Sequence, residues 1–280
     1  MKRVAIQGVH GCFHEIAARS YFMDEELEIL ECTTFKEVFE AMKNDSSVIG
    51  VVAIENTIAG SLLQNHDLLR NSNSWIIGEH KLRIKQNLCA LPGDNEYTIT
   101  EIHSHPIALM QCAEYLDGHG QWKLVEEEDT ASSARNIAKG QQKGCAAVCS
   151  MLAAELYGLE VVQESIETNK HNFTRFLILA DRWIAEDLNK GKQINKSSLV
   201  FAVSHAPGAL SKVLAIFSFY DINLTKIQSL PIVGREWEYL FYIDLTFEDY
   251  LRYKQSLDAI TPLTRNLKIL GEYETGRQTI

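Results

Sequence analysis

No basic tract runs anywhere in the 280 residues, and the formal net charge is −10. A surface built to neutralise phosphates is therefore not expected, and nucleic acid is not a partner. A locally positive pocket for a small anion stays open. No stretch approaches the roughly 20 apolar residues of a membrane span, so no membrane partner is expected either. The N-terminal apolar run breaks at Gln7-Gly8, too early for the core of a signal peptide. These absences together point to a cytoplasmic protein. The six cysteines, Cys12, Cys32, Cys89, Cys112, Cys145 and Cys149, form no C-x-x-C pair. Cys145 and Cys149 sit four apart in an apolar run that suits buried free thiols, and disulfides are not expected in the cytoplasm. His103 and His105 could pair on one strand face as ligands, but no third ligand stands nearby, so no metal is expected. The Rossmann fingerprint is missing too. After the first strand its second glycine position holds His10, which disfavours a dinucleotide, and no cofactor is expected.

What is present describes a soluble globular chain with a real core: 46% of residues are apolar and 23% charged. The length suits one large domain or two ordinary ones. Lys2 to Gln7 reads as a buried strand, Gly8-Val9-His10-Gly11 as a turn, and Phe13 to Tyr21 as an amphipathic helix. Such a turn either aims backbone N–H groups at an anion or is a plain tight connection. Phe35 to Lys43 reads as a helix and Val48 to Ile54 as a strand. That strand ends in Glu55-Asn56-Thr57-Ile58-Ala59-Gly60-Ser61, with a helical run on through Leu69. Polar residues at the carboxyl end of a strand mark the usual ligand side of an α/β sheet. Asn56, Thr57 and Ser61 are short donors suited to an oxygen-rich ligand, although Thr57 or Ser61 serves equally as a cap.

Trp75 to Leu91 holds two strand-like pieces and ends at Pro92-Gly93. A helix runs from His105-Pro106 through Leu116, and Val125 closes a strand. Asp129-Thr130-Ala131-Ser132-Ser133 opens a helix that stops at Gly140. Its hydroxyls either cap that helix or bind a carboxylate. Ala146 to Cys149 reads as a strand and Met151 to Tyr157 as a helix closed by Gly158. The first 180 residues thus alternate strand and helix, the pattern of a mostly parallel sheet or of two such lobes. Asp181 to Ser197 is polar and reads as a linker. Beyond it the order becomes strand, helix, strand, strand, helix, strand: the ferredoxin-like βαββαβ plan, suited to ligand sensing or dimerisation.

The stretch Asn172-Phe173-Thr174-Arg175-Phe176 stands out for its chemistry. A hydroxyl and a guanidinium lie side by side between two aromatic rings. In an extended segment Phe173 and Arg175 share one face, while Thr174 and Phe176 share the other. Asn172 adds an amide that donates and accepts. An ordinary strand with an ordinary Arg is the bland alternative.

These stretches, in this order, resemble prephenate dehydratase over essentially the whole chain. The matching pieces are Gly8-x-x-Gly11-Cys12-Phe13-x-Glu15, Glu55-Asn56-Thr57-x-x-Gly60-Ser61, His105-Pro106, Asp129-Thr130-Ala131-x-x-Ala134, Ala154-Glu155-Leu156-Tyr157-Gly158-Leu159 and Asn172-x-Thr174-Arg175-Phe176. The tail, with Gly208-Ala209-Leu210 and Ile222-Asn223-Leu224-Thr225-Lys226-Ile227, resembles an ACT regulatory domain. The resemblance implies an α/β fold in which residues 1–181 form a two-lobed, periplasmic-binding-protein-like catalytic domain with its second lobe near 79–164. A linker at 182–196 and a ferredoxin-like ACT domain at 197–280 follow. It implies Thr174 and Arg175 as catalytic residues, with Asn56, Thr57, Ser61, Thr130, Ala131, Asn172 and Phe176 around the substrate, prephenate. Phenylalanine is the implied effector, bound by Gly208, Ala209, Leu210, Asn223, Leu224 and Ser229, and a homodimer or homotetramer is the implied assembly. No mutase or dehydrogenase segment precedes the first strand, so a monofunctional chain is expected.

Several positions depart from the family pattern. Cys12 and His14 stand where it usually has a hydroxyl, Thr57 replaces Ser, and Thr168 replaces Asp. In the tail, Gln228-Ser229-Leu230-Pro231 replaces Glu-Ser-Arg-Pro, so a charged pair is lost at the segment associated with phenylalanine. Arogenate dehydratase is the alternative enzyme. A non-catalytic amino-acid sensor is the alternative of another class, and the Thr174-Arg175-Phe176 run counts against it.

Overall fold

The structure, a computed structural model, describes residues 1–232, 234–235 and 237–279. The chain divides into two compact units. The first comprises Met1–Leu62, His80–Phe176 and Gln278–Ile280; the second comprises Leu63–Glu79 and Leu177–Arg277.

The chain opens with β1 (Lys2–Gln7), α1 (Phe13–Tyr21), β2 (Leu27–Cys32), α2 (Phe35–Asn44), β3 (Ile49–Asn56) and β4 (Gly60–Ser61). Strands β1 and β2 pair in parallel, as do β1 and β3, while β4 folds back antiparallel on β3. Strand β3 is buried on both faces, as parallel strands under helices are, and its apolar run Val51-Val52-Ala53-Ile54 follows from that. Gly50 lies where an added Cβ would meet the Met42 sulfur, so β3 and α2 approach closely.

Next come α3 (Leu63–Asn71), β5 (Ser74–Arg83), β6 (Asn87–Ala90), β7 (Glu101–Ser104), α4 (Pro106–Gln111), α5 (Ala113–Asp117), β8 (Lys123–Glu126), α6 (Thr130–Gly140), β9 (Cys145–Cys149), α7 (Met151–Tyr157), β10 (Glu160–Gln163) and β11 (Phe173–Asp181). The helix expected from His105 through Leu116 is two short helices that meet at Cys112, whose φ of −105° is not helical. Five of these strands form a second sheet in the order β10-β6-β9-β7-β8. Its core includes Leu88, Ile102, Leu109, Cys112, Trp122 and Val148. The first unit therefore has two lobes. The chain crosses between them twice, and the crossings are tied: the Ile84 N–H donates to the Asn172 carbonyl (2.8 Å) and the Gln86 N–H to the Glu167 carboxylate (2.9 Å).

The second unit holds α8 (Arg182–Leu188), β12 (Lys196–Val203), α9 (Ala209–Phe219), β13 (Asn223–Pro231), β14 (Tyr239–Thr246), α10 (Tyr250–Ile260) and β15 (Thr264–Tyr273). Its strands run β13-β14-β12-β15-β5, with β12 antiparallel to both β14 and β15. This is the βαββαβ arrangement anticipated from the tail. Leu199, Phe201, Val213, Phe217, Leu245, Tyr253 and Leu257 fill its core. The polar stretch at 182–196 is more ordered than its composition suggests. It carries α8, and Asn189 and Lys192 donate to the carbonyls of Glu272 (3.1 Å) and Ile77 (3.4 Å). Among the described residues no helix is long and apolar enough to cross a membrane. All six cysteines are free.

Candidate active site

Within the first unit, the carboxyl ends of β1 and β3, the start of β11 and the N-terminal ends of α6 and α7 converge. The turn after β1 comes close to the second lobe. Gly11, at φ +89°, lies where a Cβ would sit 2.7 Å from the Ala153 Cα, so no side chain fits. The Ser150 hydroxyl donates to the Gly11 carbonyl (2.5 Å) and also accepts the Ala153 N–H, capping α7. Tyr157 donates to the His10 carbonyl at 2.7 Å. Glu15 gathers the Gly11 N–H (2.7 Å) and Arg19 (2.6 Å). Burial alone would raise its pKa, but these donors outweigh burial and hold it below the usual carboxylate range.

The second junction is built on Asn56. Its Oδ1 accepts the N–H groups of Ile58 (2.9 Å) and Ala59 (2.8 Å), shaping the turn into β4. Its Nδ2 donates to Asn172 Oδ1 (2.8 Å) and to Thr174 Oγ1 (2.9 Å). Asn172, fully buried, passes the chain on by donating to Gln111 Oε1 at 3.0 Å. The Thr174 hydroxyl therefore accepts from an amide. Among the described residues nothing accepts its own proton, which stays available to a bound molecule. Thr57 locks the same junction: its hydroxyl donates to the His171 carbonyl (3.0 Å) and accepts the Phe173 N–H (2.9 Å).

Alternation along β11 puts the neighbouring side chains elsewhere. Arg175 is buried, and its guanidinium lies 3.3 Å from Glu55. Phe176 is buried edge-on against His14, at 5.0 Å between ring centres. Burial holds the His14 imidazole neutral, its pKa down at about 3, and its Nε2 accepts the Ala53 N–H at 3.4 Å. Burial also pushes the Cys12 thiol well up, so it is no ready nucleophile. Ser61 stands opposite Glu55 in the β3–β4 pair.

On the other side, the Asp129 carboxylate caps α6 by accepting the Ser132 N–H (2.8 Å), which places Thr130 and Ala131, both buried, in the first helical turn. The other Asp129 oxygen lies 3.2 Å from where a Cβ on Gly8 would sit. Burial raises its pKa, more than the N–H groups of Ser132 and Ala131 lower it. Thr168 accepts the Glu114 N–H at 3.3 Å.

Asn56, Asn172 and Thr174 are thus brought together, Thr57 buttresses them, and Arg175 pairs on the other strand face. Thr130 and Ala131 belong to the facing helix end. Sequence reasoning missed Gln111 and Glu55 as partners. Glu55 directly precedes Asn56, a usable signal, whereas Gln111 lies 61 positions from Asn172 and carries no local one.

The six tail residues separate within one chain. Gly208, Ala209 and Leu210 line a cavity of about 520 Å³ with Trp237, Tyr239 and Phe241. Asn223 lines a different one of about 620 Å³, with Asp221 and Arg252, near the start of β12. Ser229 pairs with Phe241 across β13 and β14, and Leu224 packs on the core. Gln228 is half-buried and Leu230 buried.

Residues 4–206 match the family described as prephenate dehydratase. Arogenate dehydratase/prephenate dehydratase 2, chloroplastic, of Arabidopsis thaliana is 37% identical, covering 97% of this chain and 72% of that protein. A solved structure described as GqqA, a novel type of quorum quenching acylase, matches with a TM-score of 0.87 at 29% identity, over 98% of both chains. Prephenate dehydratase of Arthrobacter aurescens in complex with L-Phe matches with a TM-score of 0.82 at 25% identity, over 97% of this chain and 89% of that one. With its matched motifs gathered at one junction of the first unit, the chain belongs to the prephenate dehydratase family.

Proposed function

We propose that this protein is a carbon–oxygen lyase that converts prephenate to phenylpyruvate in phenylalanine biosynthesis. The observation that carries this reading is the Asn56–Thr174 hydrogen bond, which orients the Thr174 oxygen and leaves its proton to donate. In the reaction the ring carboxylate leaves as carbon dioxide. Its bonding electrons become ring electrons, the carbon–oxygen bond breaks, and the departing hydroxide takes a proton to become water. Aromatisation supplies the driving force, so no strong nucleophile is needed. Thr174 donates a hydrogen bond to the departing oxygen, as an oxyanion-hole donor does. Asn56, Asn172 and Gln111 hold it in place. Arg175, planar and permanently charged, is the carboxylate partner, with Glu55 holding it between turnovers. Thr57, Ser61, Thr130, Ala131 and Phe176 shape the surrounding wall.

The second unit is an ACT regulatory domain in this reading, and phenylalanine is its effector. The L-Phe complex of the Arthrobacter aurescens relative supports that choice of ligand. Gly208–Leu210 and Asn223 line separate cavities in one chain, so an effector touching both sets requires a second copy, in a homodimer or homotetramer. A reducing, cytoplasmic setting suits the six free cysteines.

The test is turnover of prephenate by the purified protein, followed as phenylpyruvate absorbance, beside arogenate and beside an acyl amide. Prephenate turnover that collapses in Thr174→Ala establishes reaction and centre. Amide hydrolysis with both dehydratase substrates inert overturns the proposal.

A further inference from the structure

The strands of the second sheet bring together three metal-ligand side chains that the proposed reaction does not use. Strands β7 and β9 run parallel, with Glu101 directly opposite Cys145. His103 follows Glu101 by two positions, so all three side chains project from one face of the sheet. A carboxylate oxygen, an imidazole nitrogen and the thiol sulfur lie within 4.8 Å of one another. His105, two residues further on, is not part of the group. It caps α4, accepting the Ile107 N–H at 3.2 Å.

The imidazole is already oriented for a ligand's role. His103 Nδ1 lies 3.2 Å from Glu127 Oε1. A carboxylate only accepts, so Nδ1 donates to Glu127, and Nε2 is the ring atom left on the side of Glu101. Nε2 is buried and makes no hydrogen bond among the described residues. It lies 3.4 Å from Glu101 Oε2, without the alignment of a hydrogen bond. Glu101 divides its oxygens, because Oε1 is held by Lys123 at 3.0 Å and Oε2 faces the imidazole. A carboxylate that fixes the far nitrogen of a histidine is the usual outer support of a zinc ligand.

We propose that Glu101, His103 and Cys145 form a site for a borderline-soft divalent cation, zinc above all, with Glu127 as its orienting partner. The donor set of one oxygen, one nitrogen and one sulfur suits zinc better than magnesium or calcium, which prefer oxygen. A tetrahedral centre has arms of about 2.0–2.3 Å and ligand atoms about 3.3–3.8 Å apart, so the trio closes in by up to about 1.5 Å. Water or a solute takes the fourth position. The metal clamps β7 to β9 at their amino ends. The same two strands carry Ser104, which donates to the Val148 carbonyl at 2.6 Å, and lead on to Ser150 at the candidate active site. Binding releases the thiol proton, so affinity rises with pH.

The experiment uses the full chain, reduced with a phosphine. Zn²⁺ is titrated by calorimetry and Co²⁺ by absorption. The expected result is one equivalent bound at micromolar affinity or tighter, with a near-ultraviolet thiolate-to-cobalt band. Cys145→Ser abolishes that band, His103→Gln weakens binding at least tenfold, and Glu127→Gln weakens it about 10–100-fold. Circular dichroism confirms the fold of each variant. If Cys145→Ser does not fold, the affinity of Glu127→Gln decides in its place. No heat with excess Zn²⁺, a cobalt band that survives Cys145→Ser, or an unchanged affinity in Glu127→Gln overturns the site.

Discussion

In the first unit Asn56, Asn172, Gln111 and Thr174 meet through neutral amides and a hydroxyl. In the second, Lys196 and Glu79 meet as a buried ion pair, with the ammonium 2.8 Å from both carboxylate oxygens and the Gly276 N–H adding a third donor. The ion pair is buried throughout, whereas the amide network runs from buried Asn172 to half-buried Asn56, and the two do different work. In the ion pair each buried charge faces the other at close range, and losing either leaves a buried charge less well compensated. The amide network is directional and open-ended. Asn56 donates both to Asn172, which donates on to Gln111, and to Thr174, which keeps a proton to give. A neutral network also leaves the field around the hydroxyl free of a fixed charge of its own, which suits an anionic substrate. Buried polar groups thus serve rigidity where they close on themselves and chemistry where they do not.

The comparison breaks first at the ion pair. Lys196→Met removes the ammonium beside the buried Glu79 carboxylate and is expected to cost about 3–5 kcal/mol, read from urea unfolding, while adding Glu79→Leu restores most of the loss. If the single variant were as stable as the parent, the ion pair would not carry the stability assigned to it.

Next in size is Thr174→Ala, which should lower kcat by about 10²–10³, or about 2.7–4 kcal/mol, with folding intact. Thr174→Ser keeps the hydroxyl and most of the rate. Unchanged turnover in the alanine variant would remove Thr174 from the reaction.

Asn56→Asp tests direction within the network. It replaces the donor facing Asn172 Oδ1 and Thr174 Oγ1 with an acceptor. A loss of about 1–3 kcal/mol in stability is expected, together with a fall in kcat. A loss confined to KM would argue that Asn56 touches substrate rather than positioning Thr174.

The smallest effect is on acidification. His14 stays neutral in the fold, with its pKa lowered from 6.5 to about 3, while the unfolded chain takes up the proton. Stability therefore falls as pH drops below 6.5, by about 1 kcal/mol between pH 6.5 and pH 5.5. His14→Gln should flatten this part of the profile. An unaltered slope in that variant would assign the pH dependence to other groups.

Much of this molecule was legible residue by residue. Helix α1 and helix α7 begin and end where a glycine turn, a serine cap or Gly158 in the left-handed region placed them, because capping is a local matter. Strands β2 and β10 escaped notice. Both lie at sheet edges and are only partly buried, so neither shows a clean alternation or a continuous apolar run. The break at Cys112 was equally invisible, since nothing in Gln111-Cys112-Ala113 forbids a helix.

The sequence by itself determined the alternation of strands and helices, the change of rhythm after the polar stretch, and the identity of Asn56, Asn172 and Thr174 as unusual polar residues beside apolar strands. These follow from periodicity, capping and composition, which act over a few residues. Only the tertiary structure decided that Gln111 completes their network, that Arg175 turns to Glu55, and that Leu63–Glu79 joins the second unit. It alone set Glu101, His103 and Cys145 side by side. Hydrogen bonds and ligand geometry depend on ångström distances between strands far apart in the chain, and no local propensity encodes those distances.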